Sequence, residues 1–334
     1  MNVAFIGVAH HHTPFYLRPV QGMAQHRVTA VADPDPEVAR ALGEQLGCSW
    51  AVDYRELLAR QRPDFVFALG RHCDMAAEAD FLIDEGIPFA IEKPVGLHED
   101  EVARLAARAA ARGAFAVPAF VMRYNELAGL LRRELMDERL DYVLFRWFSG
   151  RTFRYENSRL AWLLNPAEAG GGCLIHLGVH HLDWFRWLTG TRRPRVRHAL
   201  VANRAEGQPV EDYSLVQLDA GGIVGTLETG YLRPVSPGTD AAAVPFDLHY
   251  LIRTERHHLV VSDPWTIELR ALDGQSARTI RGSTTNAGDC SAAFCSDVLR
   301  RAAAGQPPPF DLSDMADVLS LVDEAYRLAR LTTG

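Results

Sequence analysis

With 334 residues, 48% hydrophobic and 23% charged, the chain has the composition of a folded protein with length for about two domains, which excludes a disordered chain. Its formal net charge of −7 argues against nucleic acid or an anionic membrane surface as the main partner and leaves a small molecule as the expected ligand. No apolar run has the length of a membrane span, MNVAFIGV lacks the flank and cleavage site of a signal peptide, and the five cysteines form no CxxC pair; a cytoplasmic protein with reduced thiols is expected.

The first third alternates strand-like and helix-like patterns. NVAFIGVA reads as a buried strand and RVTAVADP as a second, stopped by Asp33 and Pro34, with room between them for a crossover helix. PEVARALGEQLG carries helical spacing between Pro36 and Gly47, DFVFALG is a third buried strand, MAAEADFLIDEG a helix and PFAIEKP a fourth strand. This βαβαβ order predicts a parallel, Rossmann-like sheet over residues 1–120. A helix over HEDEVARLAARAAARG closes at Gly113. From about Leu140 the pattern turns to strands joined by turns: DYVLFRWF, RVRHALVANR, YSLVQLDAGGIVGTLETGYL, DLHYLIRT, HHLVVSD and WTIELRAL. Residues 121–334 therefore read as an α+β domain with a large, mainly antiparallel sheet. A flexible loop is expected over 233–245, and a last helix, capped by Ser313, has the freedom to pack back on the first domain.

A dinucleotide site needs a glycine-rich turn after the first strand, so that backbone N–H groups approach the pyrophosphate at a helix N-terminus. Here the turn is Gly7-Val8-Ala9-His10-His11-His12, and only the first glycine of GxGxxG remains. Asp33, 26 positions after Gly7, stands where a carboxylate holds the adenosine ribose; its charge favours NAD over NADP. The same residue would also serve simply to open a turn before Pro34. Consecutive histidines rarely point at one ion, so no metal site is expected there.

The chemistry-bearing strand end is Glu92-Lys93-Pro94, because open α/β sheets bind ligands at the carboxyl ends of their strands. In the second domain, His176, His180, Asp183 and Trp187 follow i, i+4, i+7 and i+11, which puts them on one face of a continuous α-helix otherwise filled by apolar residues. Gly170, Gly171 and Gly172 before it allow a close approach to its positive end. A zinc site on this helix lacks an evident ligand from elsewhere.

Together these motifs resemble the Gfo/Idh/MocA oxidoreductases almost end to end. The resemblance rests on EKP at 92–94, MRYNELAGLLRREL at 122–135, AWLLNPAEAGGGCLIHLGVHHLDWFRWLTG at 161–190, EDYSLVQLDAGGIVGTLET at 211–229 and DLSDMADVLSLVDEAYRLA at 311–329. It implies an NAD(P) domain and an α/β domain whose open sheet forms a homodimer or homotetramer interface. It also implies hydride transfer between nicotinamide and a carbinol carbon of a sugar, polyol or related compound. Lys93 carries over as the catalytic lysine, aimed by Pro94, and His180 as the proton-transfer histidine with His176 beside it. Cofactor-binding positions are then Gly7, Ala9, His10, His11, His12, Asp33, Gly70, Arg71, His72, Glu92 and Lys93. Arg123, Tyr124, Trp162 and Asp183 become substrate-binding candidates, with Arg151 and Tyr155 as further pocket walls.

Three departures accompany the resemblance. His176 stands where the family usually has Asp, Gly70-Arg71-His72-Cys73-Asp74-Met75 replaces its TPNxxH, and the phosphate loop is degenerate. Two alternatives stay open, the first from the resemblance itself and the second from these departures. One is a lyase or glycoside-cleaving enzyme with tightly held NAD, and the other a non-catalytic NAD-binding sensor or regulator.

Overall fold

The computed structural model describes residues 1–135, 137–203, 205–233, 236, 247–262, 266–281 and 287–332. By contacts it divides into Met1–Val121 with Ala287–Ala316, and Met122–Asn286 with Asp317–Gly334.

In the first unit, β1 (Asn2–Ile6), β2 (Arg27–Ala32), β3 (Ser49–Ala51), β4 (Phe65–Ala68), β5 (Phe89–Ile91) and β6 (Ala116–Pro118) form one parallel sheet in the order β3-β2-β1-β4-β5-β6. Between them run α1 (Thr13–Gly22), α2 (Pro36–Leu46), α3 (Tyr54–Gln61), α4 (His72–Glu85) and α5 (Glu99–Arg112). Because central parallel strands are covered on both faces, Val3, Ala4, Phe5 and Ile6 of β1 are all buried, as are Phe65, Val66, Phe67 and Ala68 of β4. Asp35 caps α2 by accepting the N–H groups of Glu37 and Val38, and Gly113 ends α5 in the left-handed conformation. The strand order reverses between β1 and β4, which opens a ligand crevice at their carboxyl ends.

Three elements of this sheet lie outside the sequence expectation. β3 and β6 are three-residue strands at its two edges. Helix α3 buries only Leu57 and Leu58, so its apolar stripe is too short to show a period.

In the second unit, α6 (Glu126–Leu135) precedes β7 (Leu140–Gly150), and the short α7 (Pro166–Ala169) leads to a π-helical turn at Leu174–Gly178 that runs into α8 (Val179–Thr189). Then come β8 (Arg195–Ala202), β9 (Tyr213–Ala220), β10 (Ile223–Arg233), β11 (Asp247–Thr254), β12 (His257–Ser262), β13 (Thr266–Ala271) and β14 (Ala277–Arg281). The sheet order is β14-β13-β12-β11-β7-β10-β9-β8, antiparallel throughout except for the β7–β10 pair. One sheet face packs on α8, where Phe145, His181, Trp184 and Tyr250 form an aromatic cluster with Phe145–Tyr250 centroids 5.0 Å apart. A Cβ on Gly225 would meet the Phe185 ring at 2.5 Å, so glycine is what lets the helix sit this close to β10.

Helix α9 (Ala287–Ala303) returns to the first unit and packs along α1, where Phe294 meets Tyr16 at 6.2 Å between centroids. The last helix, α10 (Leu312–Thr332), does not use Ser313 as its cap. Ser313 lies inside the helix, and its N–H is accepted by Asp311 Oδ1 at 2.7 Å, because the carboxylate one residue before the helix reaches the free donors first. The loop expected over 233–245 falls outside the described residues, apart from Arg233 at the end of β10 and Ser236. No helix among the described residues is long and apolar enough to cross a membrane.

Candidate active site

At the carboxyl end of β1, Gly7 turns the chain with φ +71°. A Cβ there would lie 2.5 Å from the backbone of Leu69 and Gly70, so the turn and the end of β4 approach as only glycine permits. Asp33 then ties the loop down: Oδ2 accepts the Ala9 N–H at 2.7 Å and Oδ1 the Asp35 N–H at 2.9 Å. Asp33 thus opens the turn before α2, as one of its two expected uses requires, and it also lines a groove of about 250 Å³ with Gly7, Tyr54, Arg55 and Arg71. Helix α1 begins directly after the loop, so the backbone fits the pyrophosphate of a dinucleotide.

The three histidines pack as a cluster, with His11 and His12 centroids 4.0 Å apart and His10 and His11 4.5 Å apart. His12 occupies the position before α1 but does not cap it; its Nδ1 lies 2.9 Å from Glu92 Oε1, 80 residues away in sequence. The same oxygen accepts the Tyr16 hydroxyl, and Glu92 Oε2 accepts the Lys93 N–H at 3.1 Å. Burial alone would raise the Glu92 pKa, but the His12 ring and the Lys93 ammonium hold it well below the ordinary carboxylate range. Burial pushes His10 and His11 far down, with repulsion from His12 adding to it, so both rings are neutral near pH 7. Donor atoms of His10, His12 and Glu92 converge within 4.8 Å. Within this cluster His10 Nδ1 accepts the His12 N–H at 3.1 Å and Glu92 Oε1 takes two donors.

Lys93 is 2% exposed at the end of β5, and its peptide bond to Pro94 is cis. Burial lowers its pKa, and the Glu92 carboxylate only partly offsets that. On the neighbouring loop, Arg71 pairs with Asp74 at 2.6 Å and His72 is buried in the first turn of α4.

In the second unit, His176 and His180 are both buried. The helix is not α-helical throughout, because Leu174–Gly178 is wound as a π turn. From this turn His176 meets β10, its Nδ1 lying 2.8 Å from the Tyr231 hydroxyl. Asp183 is 1% exposed and is held by Arg123, whose Nε donates to Oδ2 at 2.8 Å and Nη2 to Oδ1 at 2.5 Å. These two substrate-binding candidates neutralise each other as a bidentate pair. Trp162 and Tyr155 belong to a buried apolar cluster with Leu163, Leu164 and Tyr231, Tyr124 ends a half-buried 3-10 turn, and Arg151 pairs with Glu206 at 2.7 Å. The glycines ahead of α8 do allow a close approach, but by the chain itself. Glu211 accepts the N–H groups of Gly172 at 2.7 Å and Leu174 at 3.0 Å, and a Cβ on Gly172 would meet its carbonyl at 2.0 Å.

The sequence comparisons agree with this architecture. Residues 1–120 match the model described as "Oxidoreductase family, NAD-binding Rossmann fold" and residues 141–244 that described as "GFO/IDH/MocA C-terminal domain". The chain belongs to the Gfo/Idh/MocA oxidoreductases. Trans-1,2-dihydrobenzene-1,2-diol dehydrogenase of Bos taurus is 26% identical over 205 residues, 61% of this chain and 59% of that protein. The chain thus spans somewhat more than half the length of this relative. Among solved structures, an Agrobacterium radiobacter oxidoreductase in complex with NAD+, L-tartaric acid and magnesium superposes with TM-score 0.85 at 17% identity, covering 99% of this chain and 96% of its own. A levoglucosan dehydrogenase in complex with NADH and levoglucosan gives 0.84 at 16% identity, with 99% and 97% coverage. At these identities the superpositions speak for the fold. NAD is the dinucleotide of this family's N-terminal domain.

Several residues of the site were not anticipated. Tyr16 and Tyr231 each reach a site residue from a distant element, and neither sits in a motif. Glu211 could have been suspected, since an acidic residue beside a buried strand needs donors, and three glycines offer backbone N–H groups without side chains in the way.

Proposed function

We propose that the protein is an NAD-dependent dehydrogenase that transfers hydride between nicotinamide and a carbinol carbon of a sugar, polyol or related hydroxyl compound. The observation carrying this reading is Lys93: a buried lysine with a lowered pKa, at the carboxyl end of a strand in a dinucleotide-binding sheet, beside a fixed carboxylate. Two relatives named above, a diol dehydrogenase and a levoglucosan dehydrogenase, point to hydroxyl compounds as the substrate class. Bound NAD would supply the hydride acceptor. Gly7, Asp33 and the start of α1 would hold the dinucleotide, Lys93 would donate a hydrogen bond to the substrate hydroxyl, and His180 would take up its proton. A lysine with a depressed pKa passes a proton more readily than an ordinary one near neutrality.

The partner surface belongs to the same reading. Leu144, Phe148, Leu251 and Val260 are half-buried on the sheet face turned away from α8, and this face is proposed to join copies of the chain into a homodimer or homotetramer. The proposed location is the cytoplasm.

The test is direct. Purified protein titrated with NADH, then supplied with NAD and a panel of polyols and sugars, should bind the cofactor and form NADH with at least one substrate. Absence of cofactor binding would overturn the reading. Turnover with no net NADH formation would replace it with internally recycled, tightly bound NAD.

A further inference from the structure

The groove that holds Asp33 contains a second acid that neither the phosphate turn nor the hydride chemistry uses. Glu78 projects from α4, is 6% exposed, and lines that groove with Asp33, Tyr54, Arg55 and Arg71. The wall around it is built to admit a carboxyl group: a Cβ on Gly70 would lie 2.2 Å from Glu78 Oε1, and the Gly70 backbone hydrogen-bonds to the same carboxyl. Its other oxygen, Oε2, is buried and has no hydrogen-bond partner among the described residues. Buried polar atoms are nearly always paired, so an unpaired oxygen on a residue that lines a ligand groove points to a partner supplied from that groove.

We infer that Glu78 is a further cofactor-binding residue, presenting its carboxyl group to the adenosine half of the dinucleotide from the groove it shares with Asp33. This rests on the NAD reading above. The adenosine half is assigned because Asp33 ends β2, where a carboxylate meets the adenosine ribose in this sheet order.

The surroundings of Glu78 decide its form. Burial first, then the Asp74 carboxylate, pushes its pKa up to about 8; Asp33 adds to this, and the Gly70 hydrogen bond and Arg55 oppose it. Tyr54 also faces it, with its own pKa raised to about 12 by burial. Below pH 8 the group is therefore a neutral acid beside anionic Asp33, and its O–H can donate where a carboxylate could only accept. Ionisation removes that donor and places a second negative charge near the cofactor. Affinity should fall as pH rises through the Glu78 pKa, at a limiting slope of about tenfold per pH unit for one proton.

The experiment is equilibrium binding of NADH to the full-length protein, by fluorescence from pH 6.5 to 9.5, repeated with ADP-ribose and with nicotinamide mononucleotide by calorimetry. Wild type should weaken above about pH 8 with NADH and with ADP-ribose, but not with nicotinamide mononucleotide. Glu78→Gln, which keeps the size and a donor, should bind within about threefold of wild type at pH 7 and lose the pH dependence. Glu78→Met, which keeps the volume and removes the donor, should bind about tenfold more weakly at pH 7. If either variant folds and keeps the wild-type affinity and profile, the assignment of Glu78 is overturned while the NAD reading stands. The wild-type ADP-ribose profile is needed whether or not the variants fold, and a flat one also overturns the assignment. If wild type binds no NADH, the NAD reading fails and takes this inference with it.

Discussion

The Glu92 carboxylate joins His12, at 2.9 Å through Oε1, to the backbone of Lys93, at 3.1 Å through Oε2. A fixed anion is thereby placed one residue from the buried ammonium, and it works against the burial that lowers the lysine's pKa.

Glu92→Gln keeps the shape and removes the charge. With the offset gone, the Lys93 pKa falls further, so the limb of the kcat/KM profile that reports lysine protonation should move to lower pH. Stability should respond as well. The folded-state pKa of Glu92 is depressed, so its contribution is present above the unfolded carboxylate pKa of roughly 4.3 and is lost as pH falls through the folded value. Melting curves of Glu92→Gln should therefore fall less steeply with acidification than those of wild type. An unmoved rate profile would mean that Glu92 does not set the charge state of Lys93.

Lys93→Met separates chemistry from folding. Turnover should fall by about a thousandfold or more, in line with loss of a positioned proton donor, while NADH binding stays within a few-fold. The variant should also be at least as stable as wild type at pH 7, because a buried charge has been replaced by an apolar side chain of similar length. The sign of the pH effect follows from linkage. The folded-state pKa is lowered, so the unfolded chain binds more protons between the folded and unfolded values, and wild type should gain on Lys93→Met as pH rises through that window. Turnover within tenfold of wild type would remove Lys93 from the mechanism.

What the sequence made legible follows from where the physical signal is local. β1 and β4 announce themselves as continuous apolar runs because both of their faces are covered, and Lys93 is visible because a charged residue ending such a run is unusual. β3 and β6 are too short to carry a period, and α3 buries too little. The π turn is invisible to any reading that assumes 3.6 residues per turn. The pairing of Arg123 with Asp183, 60 residues apart in sequence, carries no local signal. Glu78 lies within a stretch that reads as an ordinary amphipathic helix, and only the approach of Gly70 reveals its burial.

Asp317 tests the packing of α10 on the second unit. Its carboxylate is buried and receives Arg186 Nη2, Arg192 Nε and Arg193 Nε, each at 2.8 Å. Burial alone would raise its pKa, but Arg193, Arg192 and the charge of Arg186 hold it below the usual range. Asp317→Asn leaves the buried Arg186 guanidinium without its main anion and should cost about 3 kcal/mol, measured by chemical denaturation. In wild type that stabilisation is present above the unfolded Asp pKa of roughly 3.9 and disappears as pH falls through the folded value. A loss below about 0.5 kcal/mol would show that the cluster behaves like exposed ion pairs.

His176 and Tyr231 form the remaining pair to be tested, at 2.8 Å in a buried setting. The Tyr231 pKa is pushed far up by burial, so the hydroxyl keeps its proton and is available as a donor to whatever occupies position 176. His176→Asp should therefore be accommodated, since the tyrosine can donate to a carboxylate as it can to an imidazole nitrogen. Turnover near neutral pH should be preserved or increased, because an anion near His180 favours the imidazolium formed as it takes up a proton. Tyr231→Phe removes the partner and should cost about 1 kcal/mol in the wild-type background. Combined with His176→Asp it should cost more, because a buried carboxylate would then lose its donor. A double-mutant cycle on stability, run alongside kcat against pH, distinguishes the two roles. A coupling energy near zero would show that the contact does not hold His176 in place, and a thousandfold loss of kcat in His176→Asp would show that the reaction needs an imidazole at this position.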